Sequence, residues 1–255
     1  MGALHEGHLS LVRAARAASD VVAASIFVNP TQFGLNEDLA KYPRSFDRDC
    51  EMLERDGVEF VFAPSVEEMY PVGAVTWVTV DELSSKLDGR SRPGHFRGVT
   101  TVVSKLFHIV EPDQAFFGQK DAAQVAIIRR MVRDLNLAVE IVVCPIVREA
   151  DGLAMSSRNA YLSPEERKRA PVLNRSLVQV QQLVDAGERD AAKIAAAGHE
   201  VFAREGSVRL DYFEIVDPAT LDAVRDLSGG ALVAVAAYVG ATRLIDNLVI
   251  AKQQK

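Results

Sequence analysis

The stretch Val21-Val22-Ala23-Ala24-Ser25-Ile26-Phe27-Val28 is apolar at nearly every position and shows no alternation. An extended segment of that kind must be covered on both faces, as in the middle of a parallel sheet flanked by helices. Asn29-Pro30-Thr31-Gln32 ends it. Downstream, apolar strands alternate with segments of helical periodicity. Phe46 to Arg55 reads as a helix and Val58 to Phe62 as a short strand closed by Pro64. Val99, Val102, Val103, Leu106, Phe107 and Val110 repeat at helical spacing; Gln114 to Phe117 is a brief strand, Ala122 to Leu135 an amphipathic helix, and Val139 to Val143 a further strand. Such alternation implies right-handed crossovers and an open, mostly parallel α/β sheet. Ligands in that architecture bind beyond the C-terminal ends of the strands, where Asn29 to Gln32 and Gly118 to Asp121 fall.

After about Val147 the pattern changes. Ser163-Pro164-Glu165-Glu166 supplies an N-cap, a proline at the first helical position and a capping-box glutamate. Leu173, Leu177, Val180 and Val184 form one stripe of the helical region that follows, and Pro171 should kink or restart the helix. A second helix spans about Asp190 to Arg204; Tyr212 to Val216, Ala231 to Val239 and Arg243 to Ile250 then read as strands of a small separate sheet. The boundary predicted from this shift divides the chain into residues 1–146 and a smaller α+β domain at 147–255.

Composition narrows the function. The 255 residues carry 29 Lys and Arg against 35 Asp and Glu, a net charge of −6, so the chain lacks the basic field that drives nucleic-acid binding. The longest apolar run, Ala231 to Ala241, is far short of the roughly 20 residues that span a bilayer. Cys50 and Cys144 have neither metal-type nor CxxC spacing, the pattern of reduced thiols in a cytoplasmic protein. Met1 to His8 has no basic or apolar leader character. It reads as a turn running straight into a helix with Leu9, Leu11, Val12 and Ala15 on its apolar face. A turn of that kind usually follows a strand, so the expectation is that the sequence begins inside a domain.

Several short patterns carry chemistry. His5 and His8, three apart at the mouth of a helix, can share one face. Helix N-termini favour phosphate, and two imidazoles there can donate to it; two surface histidines would look the same. Met155-Ser156-Ser157-Arg158 places hydroxyls and a guanidinium in a loop, a combination suited to a triphosphate and also common in solvated loops. Gly118-Gln119-Lys120-Asp121 puts a lysine directly after a strand, and Gln32 and Gln124 are amides able to grip a hydroxyl or carboxylate. Arg92-Pro93-Gly94-His95-Phe96-Arg97-Gly98 is a basic glycine-bearing loop, either an anion contact or a solvated flap.

The order of these blocks is more specific than any one of them. His5-Glu6-Gly7-His8 resembles the HxGH signature of the nucleotidyl-transferring α/β superfamily, and Met155-Ser156-Ser157-Arg158 resembles its KMSKS-type loop. Between them stand Phe27-Val28-Asn29-Pro30-Thr31-Gln32-Phe33, Tyr42-Pro43-Arg44 and Phe116-Phe117-Gly118-Gln119-Lys120-Asp121. That series is similar to the pantothenate synthetase (pantoate–β-alanine ligase) family over essentially the whole chain. The resemblance implies a Rossmann-like open parallel sheet whose first strand lies upstream of Met1, followed by a smaller lid-like domain. It implies a two-step ligation in which ATP, with Mg²⁺ on its phosphates, and (R)-pantoate give pantoyl adenylate and pyrophosphate, and β-alanine then displaces AMP. A cytoplasmic homodimer acting on small molecules is implied too.

By position, the resemblance implies an ATP site of Met1, Gly2, Ala3, Leu4, His5, Glu6, Gly7, His8, Gly118, Gln119, Lys120, Asp121, Val147, Met155, Ser156, Ser157 and Arg158. Within it, His5, His8, Lys120, Ser156, Ser157 and Arg158 would be catalytic, with His8 toward phosphate. Gln32 and Gln124 would hold pantoate, Gln32 also lying beside β-alanine, and Asp49 would belong to the metal region. Two departures stand out: Gln119 replaces the usual glutamate of a Gly-Glu-Lys-Asp block, and Thr31 stands where methionine is common. The alternatives are another adenylyltransferase of the superfamily, which would need a cationic site for an acceptor phosphate, and an ATP-binding relative without turnover. An RNA-binding synthetase fragment is disfavoured by the acidic balance.

Overall fold

The computed structural model describes residues 2–34 and 37–253. The chain divides into two compact units, one of Met1–Gly118 with Ile127–Val147 and the other of Gln119–Ala126 with Arg148–Lys255. The segment Gln119–Ala126, placed by its sequence position in the first domain, thus groups with the C-terminal residues.

The first unit runs α1 (Glu6–Ala18), β1 (Ala23–Ser25), α2 (Phe46–Arg55), β2 (Phe60–Phe62), the single-turn α3 (Val66–Met69) and α4 (Asp88–Ser91), α5 (His95–Val110) and β3 (Gln114–Gly118). From Ile127 the first unit resumes within helix α6 (Ala122–Asp134), which leads to β4 (Glu140–Cys144). The strands pair in parallel, β1 with β2 from Ala23 opposite Phe60, and β3 with β4 from Gln114 opposite Glu140. Among the described residues the parallel sheet is therefore two ladders, with β1 and β3 not bonded to each other. The apolar run from Val21 is longer than its ladder. Only Ala23–Ser25 pairs fully, Ile26 adds one N–H bond to the Phe62 carbonyl, and Pro30 then turns the chain into a 3-10 helix, Pro30–Gln32. Proline has no N–H to extend a ladder. Helix α1 packs against α2, β3 and β4, and Leu4, Val12, Ala24 and Leu53 close a small core.

Helix α5 buries Phe96, Val99, Val102 and Val103 and lies against the Pro30–Gln32 turn. Gly98 permits that approach. A Cβ there would stand 2.4 Å from the Thr31 carbonyl oxygen and 2.7 Å from the Gln32 nitrogen, both main-chain atoms with no room to yield.

The second unit continues with α7 (Pro164–Arg169), α8 (Val172–Asp185), α9 (Ala191–Glu205), β5 (Val208–Val216), β6 (Ala231–Val239) and β7 (Thr242–Ile250). The Ser163–Glu166 capping box forms as its spacing predicts, and Pro171 separates α7 from α8. The three strands make an antiparallel sheet in the order β5-β6-β7. Leu173, Leu177, Val180 and Val184 of α8, with Ile194 and Phe202 of α9, pack on Val233, Val235 and Ala237 of β6 in one continuous core.

Replacing Gly98 by alanine should force α5 off the turn that carries Gln32, at a cost of about 1–3 kcal/mol. Urea unfolding should show a lower midpoint at unchanged slope.

Candidate active site

The first site element is the turn into α1. His5 is its N-cap: the His5 Nδ1 accepts from the Gly7 N–H at 3.1 Å, and the His8 Nδ1 accepts from the His5 N–H at 3.4 Å. Two histidines thus form a reciprocal capping box, the role usually taken by Ser or Thr and Glu. A backbone N–H only donates, so each Nδ1 is the unprotonated nitrogen and each Nε2 of a neutral ring carries the proton. The rings lie 4.1 Å apart, centroid to centroid. Two N–H donors are thereby held side by side at a helix N-terminus, where backbone potential attracts anions.

Asp49 of α2 holds this turn in place. Its side chain is 1% exposed, and its two oxygens accept from the Ala3 and Leu4 N–H groups, both at 2.8 Å, and from the Ser45 hydroxyl at 3.0 Å. Those bonds offset the left-handed conformation of Ala3, φ 49°. Leu4 enters the core, and Glu6 ion-pairs with Arg13 on the exposed face of α1, so both can meet an anion only through main chain. Met1 lies outside the described residues. Beside the turn, beyond the C-terminal ends of β1 and β2, is a cavity of about 280 Å³ lined by Gly2, Ile26, Val28, Phe46, Asp49 and Pro64 among others.

Gln32 sits in a polar cluster of the same unit. Asn29, 3% exposed, caps the turn and donates to the Gln32 side-chain oxygen and to the Gly98 carbonyl, both at 3.1 Å. The Asn29 oxygen accepts from Thr31 and from the Tyr70 hydroxyl at 2.9 Å. With its oxygen engaged, Gln32 has its amide N–H groups to meet a ligand. The Thr31 hydroxyl makes a bond that methionine could not make.

His95 approaches Gln32 from α5, its Nδ1 2.8 Å from the Gln32 carbonyl oxygen. The carbonyl can only accept, so Nδ1 is protonated and Nε2 receives the Arg92 Nη1 donor at 3.1 Å. Arg92 also forms a two-point ion pair with Glu37. Within Arg92–Gly98, Arg92 and His95 are thus half-buried and mutually bonded, Phe96 and Gly98 are buried, and Pro93, Gly94 and Arg97 are exposed. Burial, with the Arg92 cation as a second cause, lowers the His95 pKa to about 4.

Of the other residues named from the sequence, Gly118 and Val147 lie in the first unit and the rest in the second. Gln119–Asp121 forms a 3-10 turn before α6, and Gln124 lies half-buried in the first turn of α6. The Gln119 amide donates to the Asn247 oxygen at 3.2 Å, a bond that a glutamate carboxylate could not donate. Lys120 lies 3.7 Å from Asp121. Met155–Arg158 follows a tight turn, in which Gly152 (φ 90°) returns an N–H to the Glu149 carbonyl. The Ser156 hydroxyl caps the 3-10 helix Ser157–Tyr161 by accepting from the Arg158 N–H. Arg167 braces the turn through Glu149 and Asp151; its bond holds the Asp151 carboxyl below the usual range. Gly118 ends β3 and Val147 ends the first unit's chain segment, both half-buried. Tyr70 and Asn247 carried no signal in the sequence, because their partners are 41 and 128 positions away.

Because His95 stays neutral down to about pH 4 when folded but takes a proton near pH 6.5 when unfolded, the unfolded state binds more protons between those values. Its contribution is fully present above about pH 6.5 and falls by about 3 kcal/mol as pH approaches 4. Urea titrations of wild type and His95→Gln across that window should show the steeper loss only in wild type.

The pantoate-β-alanine ligase family model matches residues 1–249. The chain is 68% identical to pantothenate synthetase of Acidobacterium capsulatum, covering 98% of this chain and 84% of that protein. It is 60% identical to pantothenate synthetase of Thermotoga neapolitana, covering 98% and 89%. The solved pantothenate synthetase of Thermus thermophilus superposes with a TM-score of 0.95 at 50% identity, over 97% of this chain and 90% of that one. A pantoate-beta-alanine ligase from Francisella tularensis, complexed with beta-gamma ATP and beta-alanine, superposes with a TM-score of 0.74 at 32% identity, over 98% and 87%. No helix among the described residues is long and apolar enough to cross a membrane. With its histidine-capped turn, parallel ladders and family match over nearly its full length, the chain belongs to the pantoate-β-alanine ligase family.

Proposed function

We propose that this chain joins (R)-pantoate to β-alanine at the expense of ATP. In the first step a pantoate carboxylate oxygen attacks the α-phosphorus and pyrophosphate leaves, giving pantoyl adenylate. In the second, the β-alanine amine attacks the acyl carbon, the bond to AMP breaks, and the nitrogen loses a proton to give pantothenate. The observation that carries this is the His5–His8 capping box at the N-terminus of α1, in which each Nδ1 accepts a backbone N–H, so that each neutral ring donates from Nε2. The Francisella relative, described as complexed with beta-gamma ATP and beta-alanine, supports the substrate class.

Bringing a carboxylate to a phosphate collects negative charge, and preorganised donors there lower the barrier. In this assignment His5 and His8 donate to phosphate oxygens, His8 acting on the reacting group, and Gly2 to Gly7 contribute main-chain N–H groups. Lys120, Arg158 and the Ser156 and Ser157 hydroxyls serve the same triphosphate, with Gly118, Gln119, Asp121, Val147 and Met155 lining the nucleotide. Gln32 and Gln124 take the pantoate hydroxyls and carboxylate through their amides, which cannot compete as nucleophiles. Magnesium enters with the nucleotide. Asp49 has both oxygens committed to the α1 turn, and no grouping of three or more His, Cys, Asp or Glu among the described residues could hold a resident ion. The donor set therefore does not fit a protein-bound metal, and no step is assigned to one. The reduced thiols, Cys50 and Cys144, suit the cytoplasm, and the exposed Val72, Val75 and Trp77 offer a homodimer its apolar contact.

Pantoate-dependent exchange of pyrophosphate into ATP, with AMP release requiring both acids, tests the reaction. His8→Ala should slow adenylate formation by about 10²–10³-fold with little change in pantoate binding; equal losses in both would remove its role toward phosphate. Gln124→Ala should raise the pantoate KM with a smaller effect on kcat.

A further inference from the structure

We propose that Asn247 of β7 is a positioning residue for the ligation, setting the direction of Lys120 through the main chain on either side of it. This rests on the role assigned above to Lys120.

Asn247 is 3% exposed although its side chain is an amide. Its Nδ2 donates to two successive carbonyls, those of Gln119 and Lys120, both at 2.9 Å, and its Oδ1 accepts from the Gln119 side chain at 3.2 Å. Two acceptors on one side and a donor on the other fix the orientation of the amide. The Gln119 carbonyl belongs to the peptide plane entering Lys120, and the Lys120 carbonyl to the plane leaving it. Because peptide groups are rigid planes, holding both sets φ and ψ of Lys120 and hence the direction of its Cα–Cβ bond. No other side chain among the described residues bonds to either carbonyl.

The anchor itself is braced. Asp246, the preceding residue of β7, receives Arg148 at 2.6 and 3.0 Å through two oxygens, and one of those oxygens also accepts the Asn247 N–H at 2.8 Å. The same arginine donates to the Gly152 carbonyl at 3.0 Å. Successive residues of one strand thus hold the turn bearing Lys120 and the turn that leads to Ser156, Ser157 and Arg158. The strand is ordered by pairing along its whole length with β6, Asp246 opposite Val235 and Asn247 opposite Ala234.

The test is a double-mutant cycle read in single-turnover formation of pantoyl adenylate from wild type, Asn247→Ala, Lys120→Ala and the double variant, with thermal unfolding recorded for each. Asn247→Ala should slow the step by about 10²-fold, the scale of a misplaced catalytic group, and should add no further loss once Lys120 is alanine. A full, independent penalty in the Lys120→Ala background, or an undiminished rate in Asn247→Ala, would overturn the positioning role and leave Lys120's role standing. An undiminished rate in Lys120→Ala would remove the role of the lysine and with it that of Asn247. If the alanine variant does not fold, Asn247→Ser, which keeps one donor, is read in the same cycle with the same expected dependence on Lys120.

Discussion

The polar groups of a tight turn cannot be buried without partners, and Asp49 meets that demand for the entrance to α1. One side chain of α2 takes the N–H groups of Ala3 and Leu4, leaving the next residues to close the helix end through His5 and His8. The histidines cap the helix and in doing so settle their own tautomers. The cap uses only the Nδ1 atom of each ring, so closing the helix end makes each Nε2 the donor nitrogen of a neutral ring.

The second unit repeats the logic with an amide. Asn247 and Asp246 are buried polar residues in a sheet that is otherwise apolar along β6; Asn247 is satisfied by the Gln119–Lys120 turn, and Asp246 by the Arg148 guanidinium and the Asn247 N–H. Buried hydrogen-bonded groups tolerate little displacement, since breaking one bond leaves an unpaired group in a low-dielectric setting. Loops whose backbones are tied to such groups keep a single geometry, which oriented catalytic donors require.

Local chemistry explains why much of this could be anticipated. The capping box at Ser163, the restart at Pro171 and the helical stripe of α8 depend on neighbours within about four residues, and all three form. The His5–His8 pair is likewise an i,i+3 relation, and so is the proximity of Arg92 to His95. Strand length was less legible: an apolar run reports burial, whereas a ladder ends where its partner ends, here after Phe62. The grouping of Gln119–Ala126 with the C-terminal residues was hidden for the same reason, because the bonds to Asn247 span about half the chain.

By itself, the order of residues determined the alternation of helices and strands, the change of character after Val147, and which short blocks carry donors suited to phosphate and carboxylate. Tertiary structure alone decided that Asp49 serves the α1 turn, that Arg92 and His95 stand on the Gln32 backbone, and that Asn247 holds the Lys120 turn. Periodicity and capping are written in neighbouring residues and survive in an isolated segment. The partner of a buried polar group is chosen by whatever donor or acceptor packing delivers to it, however distant along the chain.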